Sequence, residues 1–274
     1  RTTAEAVDEQ FERDRAELVA VQESAGLDLV ADGLLRAQDL FRPLAEAAVG
    51  LSARPIVRFL DTNTFLRAVL VEGKPRLAQP LPTPDLPAGR WLATLPSPFA
   101  FARAAGDEVG ASALAADVLA PQIEAYAEAG CALVVLSDPF LAGEKRVGEL
   151  VEALNELPTS VPVALWLPFS DASGLLEELA DAPVAAIGVD FYATPLDAVP
   201  QDYPKEILAG LIDTRSSRVE DPKELTDFAG RLLQRKPAGL SLVPNGDLQF
   251  VSEPIAREKL ARLGAAKTPL EEAA

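Results

Sequence analysis

The chain has 274 residues, 49% of them hydrophobic, without an apolar run of the ~18 residues that a membrane span requires, and its length suits one barrel domain of roughly 250 residues. A formal net charge of −17, from 25 basic against 42 acidic residues, argues against a nucleic-acid partner and against anionic membranes, since both need clustered Lys and Arg. There is no His, so imidazole chemistry is excluded, and the single cysteine, Cys131, allows no intramolecular disulfide and points to the cytoplasm.

Residues 3–23 predict an acidic amphipathic helix, with Phe11, Leu18, Val19 and Gln22 on one side and Gly26 as its stop. A strand at 27–31, a mixed polar and apolar segment at 35–49 and a β-rich excursion at 55–71 follow. Pro75, Pro80, Pro82, Pro84 and Pro87 then make 74–88 a loop, because proline suits neither a helix interior nor a central strand. Strands are expected next at 91–95, 132–136, 161–167, 184–189, 207–212 and 240–243, and helices at 112–129, 145–157, 173–179, 222–234 and 254–263. Asp221 before Pro222 and Glu253 before Pro254 are helix-start signals.

The apolar runs in ALVVLSDP, VALWLPFSD, AIGVDF and GLIDTR are continuous rather than alternating, the pattern of parallel strands covered on both faces. The predicted fold class is therefore α/β, a (β/α)8 TIM barrel, as a single domain over residues 1–274. Seven central strands are read where a closed barrel has eight. The chain opens at Arg1 in a helical pattern and has no Met, so the first strand and the native start are expected upstream.

Barrel sites are built at the C-terminal ends of the strands. The polar residues there are Asp32, Arg36 and Asp39, then Asp61, Asn63 and Arg67, then Ser97, then Ser137 and Asp138. Trp166, Asp171, Asp190, Tyr192, Asp213, Arg215, Asn245 and Asp247 complete the set. For any one carboxylate a helix cap or loop salt bridge is the ordinary role, and it is their joint position that points to a site. Trp166, Phe169, Phe191 and Tyr192 can wall a flat ligand, with core packing equally open for the two Phe. Arg36, Arg58, Arg67, Arg215 and Arg218 either clamp an anionic ligand or pair with nearby Asp. Cys131 enters its strand at the opposite end and reads as a buried structural thiol. A Ser–His or Cys–His pair, a strand-following GxGxxG and a GxxxxGK[ST] loop are all lacking, which leaves Rossmann hydride transfer and P-loop phosphoryl transfer unsupported.

The segments LDLVADGLLRAQD, VRFLDTNTFLR, WLATLPSPFAFAR and EAGCALVVLSDPFLA, then GLIDTRSSRVEDPKEL and LSLVPNGDLQFVSEPIAREKLARLG, resemble in order the core barrel of cobalamin-independent methionine synthases, over residues 16–264. The resemblance implies a barrel that transfers a methyl group from a methylated folate to the thiol of homocysteine, with zinc holding the thiolate. The zinc ligands it implies are not retained: no His-x-Cys pair lies between Val163 and Asp171, Asp190 stands in place of a Glu, and Gly246 in place of a Cys. Of the acids implied for the homocysteine amine, Leu34 and Ser137 replace two and Asp138 remains. WLPFSD, LIDTRSS and VPNGDLQF look closer to the amino-terminal barrel of two-barrel enzymes, which lacks the zinc set and helps to hold the folate's polyglutamate tail.

Two readings follow. One is a methyltransferase barrel with no metal ligands and no assigned catalytic residue. Its substrate, a folate or an amino-acid thiol, would be bound by Asp32, Arg36, Asp61, Asn63, Ser137, Asp138, Trp166, Asp190, Tyr192, Asp213, Arg215 and Asn245. The other is a non-catalytic folate- or partner-binding homologue that works with a separate catalytic barrel.

Overall fold

In a computed structural model the chain is described over residues 3–58, 65–144 and 146–271. Helix α1 (Ala4–Ser24) is the expected amino-terminal helix. The strand expected at 27–31 is reduced to a single parallel bridge between Val30 and Trp91. The chain turns too soon for a ladder: Asp32 Oδ1 accepts the Leu34 N–H at 3.0 Å, and Gly33 and Leu34 both have positive φ. A side chain at residue 33 would also collide with Leu18 of α1, at 2.2 Å.

After α2 (Arg42–Ala47), β1 (Ala48–Arg58) and β2 (Phe65–Leu77) form an antiparallel hairpin that is longer than the β-rich excursion expected. The proline loop consequently starts later, and Pro75 is accommodated where the register slips between Val49 and Leu51. Asp39 pins the hairpin to the preceding loop. Its Oδ1 accepts from Phe41 N–H (2.9 Å) and Arg42 N–H (2.7 Å), and its Oδ2 from Arg67 N–H (2.8 Å).

Strand β3 (Leu92–Pro96) runs directly into α3 (Pro98–Ala104), a helix not expected from the apolar pattern. Ser97 caps it: the buried hydroxyl accepts the Ala100 N–H at 2.9 Å, with Pro98 in the first turn. The helix expected at 112–129 is α4 (Ala111–Leu114) and α5 (Ala120–Glu128) joined by a π-helical turn, Ala115–Leu119, just before Pro121. That wider turn suits a proline with no N–H to donate. Then come β4 (Leu133–Ser137), α6 (Leu141–Glu144), α7 (Val147–Leu154), β5 (Val163–Leu167), α8 (Leu176–Leu179), β6 (Ala186–Asp190), β7 (Glu206–Ile212), α9 (Pro222–Leu233), β8 (Gly239–Pro244) and α10 (Glu253–Glu271).

The chain forms two compact units. The first comprises Arg1–Val19, Leu29–Ser137 and Gly148–Val163. It contains the hairpin and the parallel pair β3–β4, in register from Leu92 opposite Leu133 to Pro96 opposite Ser137. Its core packs Phe41 on Phe101 and the edge of Trp91 against Tyr126. The Cys131 thiol is buried there and donates to the Leu133 carbonyl at 3.2 Å.

The second unit comprises Ala20–Asp28, Asp138–Val147 and Ala164–Ala274. In it β5, β6, β7 and β8 pair in parallel and in sequence order. Every residue of β6, and of β7 beyond Glu206, is buried, as continuous apolar runs require when helices cover a parallel sheet. Helix α9 contributes Leu225, Ala229 and Leu232 at helical spacing, each buried leucine worth about 1.5–3 kcal/mol. Among the described residues no helix is long and apolar enough to cross a membrane.

Candidate functional site

The C-terminal ends of β5–β8 gather six of the residues expected from the sequence: Trp166, Asp190, Tyr192, Asp213, Arg215 and Asn245. Trp166 is the fourth residue of β5 and pairs in register with Gly188 of β6. Its indole lies across that glycine and reaches Gly210 of β7, so that a Cβ on Gly188 would be 1.8 Å from Trp166 Cε3 and one on Gly210 would be 3.0 Å from Trp166 Cη2. Asp190 ends β6 two residues beyond Gly188, on the same face, and pairs with Gly210. The carboxyl group therefore stands immediately beyond the indole.

Asp190 is 1% exposed. Its Oδ1 accepts the Tyr192 N–H at 2.9 Å and Asn245 Nδ2 at 3.1 Å. Asn245, buried after β8, has its amide oriented by Thr214, whose N–H (2.9 Å) and hydroxyl (3.0 Å) both donate to Asn245 Oδ1. Asp190 Oδ2, in contrast, is buried with no hydrogen-bond partner. Burial pushes the Asp190 carboxyl above the usual carboxylate range, against the opposing pull of the Tyr192 N–H, Asn245, the Arg215 charge and the Ala193 N–H.

The loop after β7 is held by a buried ion pair that the sequence reading did not single out. Lys259 Nζ, 0% exposed on α10, lies 2.9 Å from both carboxylate oxygens of Glu220 and also donates to the Arg218 carbonyl. Glu220 Oε1 further accepts the Asp213 N–H at 2.9 Å and is 3.2 Å from the Tyr192 hydroxyl, which also reaches the Leu211 carbonyl at 3.1 Å. Burial, and then the Glu220 charge, hold the Tyr192 phenol well above its usual range. Asp213 Oδ1 accepts the Arg215 N–H at 3.0 Å. The exposed Arg215 side chain lies over the Phe169 ring, 4.9 Å from its centroid. Phe169 has a φ of +60°, packs edge-on against Phe250 and lies where a Cβ on Gly246 would fall, 2.3 Å from its Cζ.

The remaining expected residues make contacts outside that network. Asp138 Oδ1 caps the turn into α6, accepting from Phe140 N–H (3.1 Å) and Leu141 N–H (2.9 Å), while its own N–H donates to the Trp166 carbonyl at 2.8 Å. In the first unit, Asp32 closes its turn on Leu34, and the Ser137 carbonyl accepts the Ser97 N–H at 2.9 Å. Arg36 is bound by Asp8 (2.7 Å) and Glu12 (3.3 Å) of α1 and lies over Phe11. Arg67 donates to the Arg54 carbonyl, Arg218 pairs with Glu224, and Phe191 packs on Phe228. Asp61 and Asn63 lie outside the described residues.

Among the described residues, no group of three or more His, Cys, Asp and Glu side chains is placed to hold a metal. The zinc implied by the sequence resemblance does not fit this donor set, which offers one carboxylate oxygen at Asp190 and no sulfur or imidazole beside it. Chemically, the mouth can accept a hydrogen bond deep inside at Asp190, lay an aromatic face against a ligand, and present a cation at its edge through Arg215.

No protein-family model matches the chain. Over 259 residues, covering 88% of this chain and 76% of the relative, it is 25% identical to the methionine synthase of Sulfurisphaera tokodaii. A B12-independent methionine synthase from a Shewanella species, solved in complex with selenomethionine, superposes with a TM-score of 0.79 at 16% identity, covering 100% of this chain and 91% of that one. A putative vitamin-B12-independent methionine synthase from Listeria monocytogenes gives 0.72 at 17% identity, covering 98% and 89%. The chain is thus similar in sequence to a methionine synthase and in fold to B12-independent methionine synthases. It shares the α/β TIM-barrel fold of these methionine synthases, and a methyltransferase from Methanosarcina mazei is similar at a TM-score of 0.55, with 14% identity over 93% of this chain and 83% of that one.

Proposed function

We propose that the chain is a methionine-synthase-like methyl-transfer barrel. Its mouth takes a methylated folate, or another methyl donor, and directs the methyl group toward a homocysteine-type thiol without the zinc ligand set of the family. The observation that carries this reading is the Asp190–Asn245–Thr214 network beside Trp166 at the ends of β5–β8, in a chain related to a methionine synthase along 88% of its length. Methyl transfer as a class is supported by the relatives, and an amino-acid ligand by the selenomethionine in the Shewanella neighbour. In this reading Arg215 faces the carboxylates of the ligand, and the single buried Cys131 suits work in the cytoplasm.

A second reading, in which the chain binds folate and a separate homologous barrel does the chemistry, is favoured by the described residues, which place no group of three or more His, Cys, Asp and Glu side chains to hold a metal. One assay distinguishes them. The purified protein is given a glutamylated folate with an isotope-labelled methyl group and homocysteine, alone and with an added catalytic homologue. Labelled methionine from the chain alone establishes the first reading, and folate binding with turnover only in the mixture establishes the second. If the chain neither binds the folate nor transfers its methyl group, both readings fall.

A further inference from the structure

We infer that Asp190 Oδ2 is the anchoring acceptor of this mouth: it takes an N–H donor, an amine or a ring nitrogen, from an organic ligand whose carboxylate meets Arg215. The choice of ligands to test rests on the methyl-transfer reading. The site itself rests on three features of the second unit.

The first is that Asp190 is half satisfied by design of its neighbours. Tyr192 N–H and Asn245 Nδ2 both bind Oδ1, and Thr214 uses the Asn245 carbonyl, so that amide cannot flip without losing two hydrogen bonds. The carboxyl plane is thereby fixed and Oδ2 is left buried without a partner. Buried polar atoms in folded proteins are nearly always paired, so an orphaned carboxylate oxygen held by a satisfied network calls for a donor from elsewhere.

The second is that a metal does not answer that call. The volume that a side chain at residue 246 would enter is filled by the Phe169 ring, 2.3 Å and 2.5 Å from the Cβ position. That ring is held in turn by Phe250 and by the Arg215 guanidinium. A thiolate cannot be restored there by one substitution, so this is a mouth rebuilt around aromatic rings.

The third is orientation. The indole of Trp166 fills the strand face directly below Asp190, while Arg215 is exposed at the outer edge on Phe169. A ligand lying between them points its nitrogen inward, where low polarity strengthens the hydrogen bond, and its carboxylate outward to a guanidinium in water.

The test uses the full chain carrying Trp91→Phe, which leaves Trp166 as the tryptophan reporter, with calorimetry alongside fluorescence. The probes are L-homocysteine, which offers an amine, a methylated and glutamylated folate, which offers ring N–H groups, and zinc alone. Asp190→Asn places an NH2 group where Oδ2 stands, so donor meets donor, and the bound probe should weaken on the order of tenfold or more. Arg215→Gln should weaken the same probe severalfold, and it keeps the site testable if the Asp190 variant does not fold. The organic probe that responds to both substitutions identifies the nitrogen. Unchanged affinity in both variants overturns the anchor but leaves the proposed function standing. Wild type that binds neither organic probe defeats the anchor together with that function. Stoichiometric zinc binding abolished by Asp190→Asn makes the residue a metal ligand and overturns the inference.

Discussion

Trp166 and Gly188 are a matched pair: the indole occupies the space into which any side chain at 188 would project, 1.8 Å from the Cβ position. Gly188→Ala should therefore act as an overpacking change in a site walled by β6 and β7, where the backbone cannot yield. The expected loss is at least about 1–3 kcal/mol, read as a lower midpoint in urea denaturation. Adding Trp166→Phe, whose ring is smaller, should recover part of it. A fully stable Gly188→Ala protein would show that the indole lies elsewhere.

The Lys259–Glu220 pair predicts a contrast between single and double replacement. Lys259→Met strands a buried carboxylate that also holds Asp213 N–H and faces Tyr192, and should cost about 3–5 kcal/mol. Lys259→Met combined with Glu220→Gln removes both charges, and much of the loss should return. A double variant as unstable as the sum of the singles would mean that the two residues act independently.

Most of the second unit could be read in the sequence because its strands announce themselves twice, by continuous apolar runs and by the polar residue that ends each run. The first unit was less legible. Residues 27–31 carry a strand composition, yet the Asp32–Gly33–Leu34 turn removes the ladder, and α3 was hidden although Ser97–Pro98 gives the same start signal as Asp221–Pro222. Glu220 and Lys259 were not singled out in the sequence. A signal for the lysine was present, since Ile255, Lys259 and Leu263 follow one another at helical spacing and a cation in an apolar row calls for a buried partner. The orphaned oxygen of Asp190 had no such signal, because it depends on which hydrogen bonds Tyr192, Thr214 and Asn245 make after folding.

Asp190 also predicts how stability changes with pH. Burial raises its native pKa above the ordinary 3.8, so the folded state holds this proton more tightly than the unfolded chain does. The stability contributed by the protonated group is fully present below the unfolded pKa and is lost as pH rises through the raised native value. Asp190→Asn does not titrate at this position. The stability of wild type minus that of Asp190→Asn, measured by denaturant titration at a series of pH values, should fall as pH increases through the acidic range. A difference that is flat, or that rises with pH, would contradict the assignment.

Arg36 and Arg215, equivalent candidates in the sequence, are separated by their surroundings. Asp8 and Glu12 lie four residues apart on α1, hence on one face, and together they take the Arg36 guanidinium while Phe11 lies beneath it. A ligand carboxylate would have to displace two carboxylates to reach that cation. Arg215, whose backbone N–H is bound by Asp213 Oδ1, lies over the Phe169 ring, next to the buried Asp190 and at the mouth of β5–β8. Arg36→Ala is therefore expected to leave the affinity for a glutamylated folate within about twofold of wild type, a change of no more than roughly 0.4 kcal/mol. Its measurable effect should be fraying of α1, seen as a loss of helical circular dichroism and faster amide exchange at the amino terminus. If Arg36→Ala instead weakens folate binding as much as Arg215→Ala does while α1 stays protected, the anion-binding cation is Arg36 and its pairing with Asp8 and Glu12 gives way to the ligand.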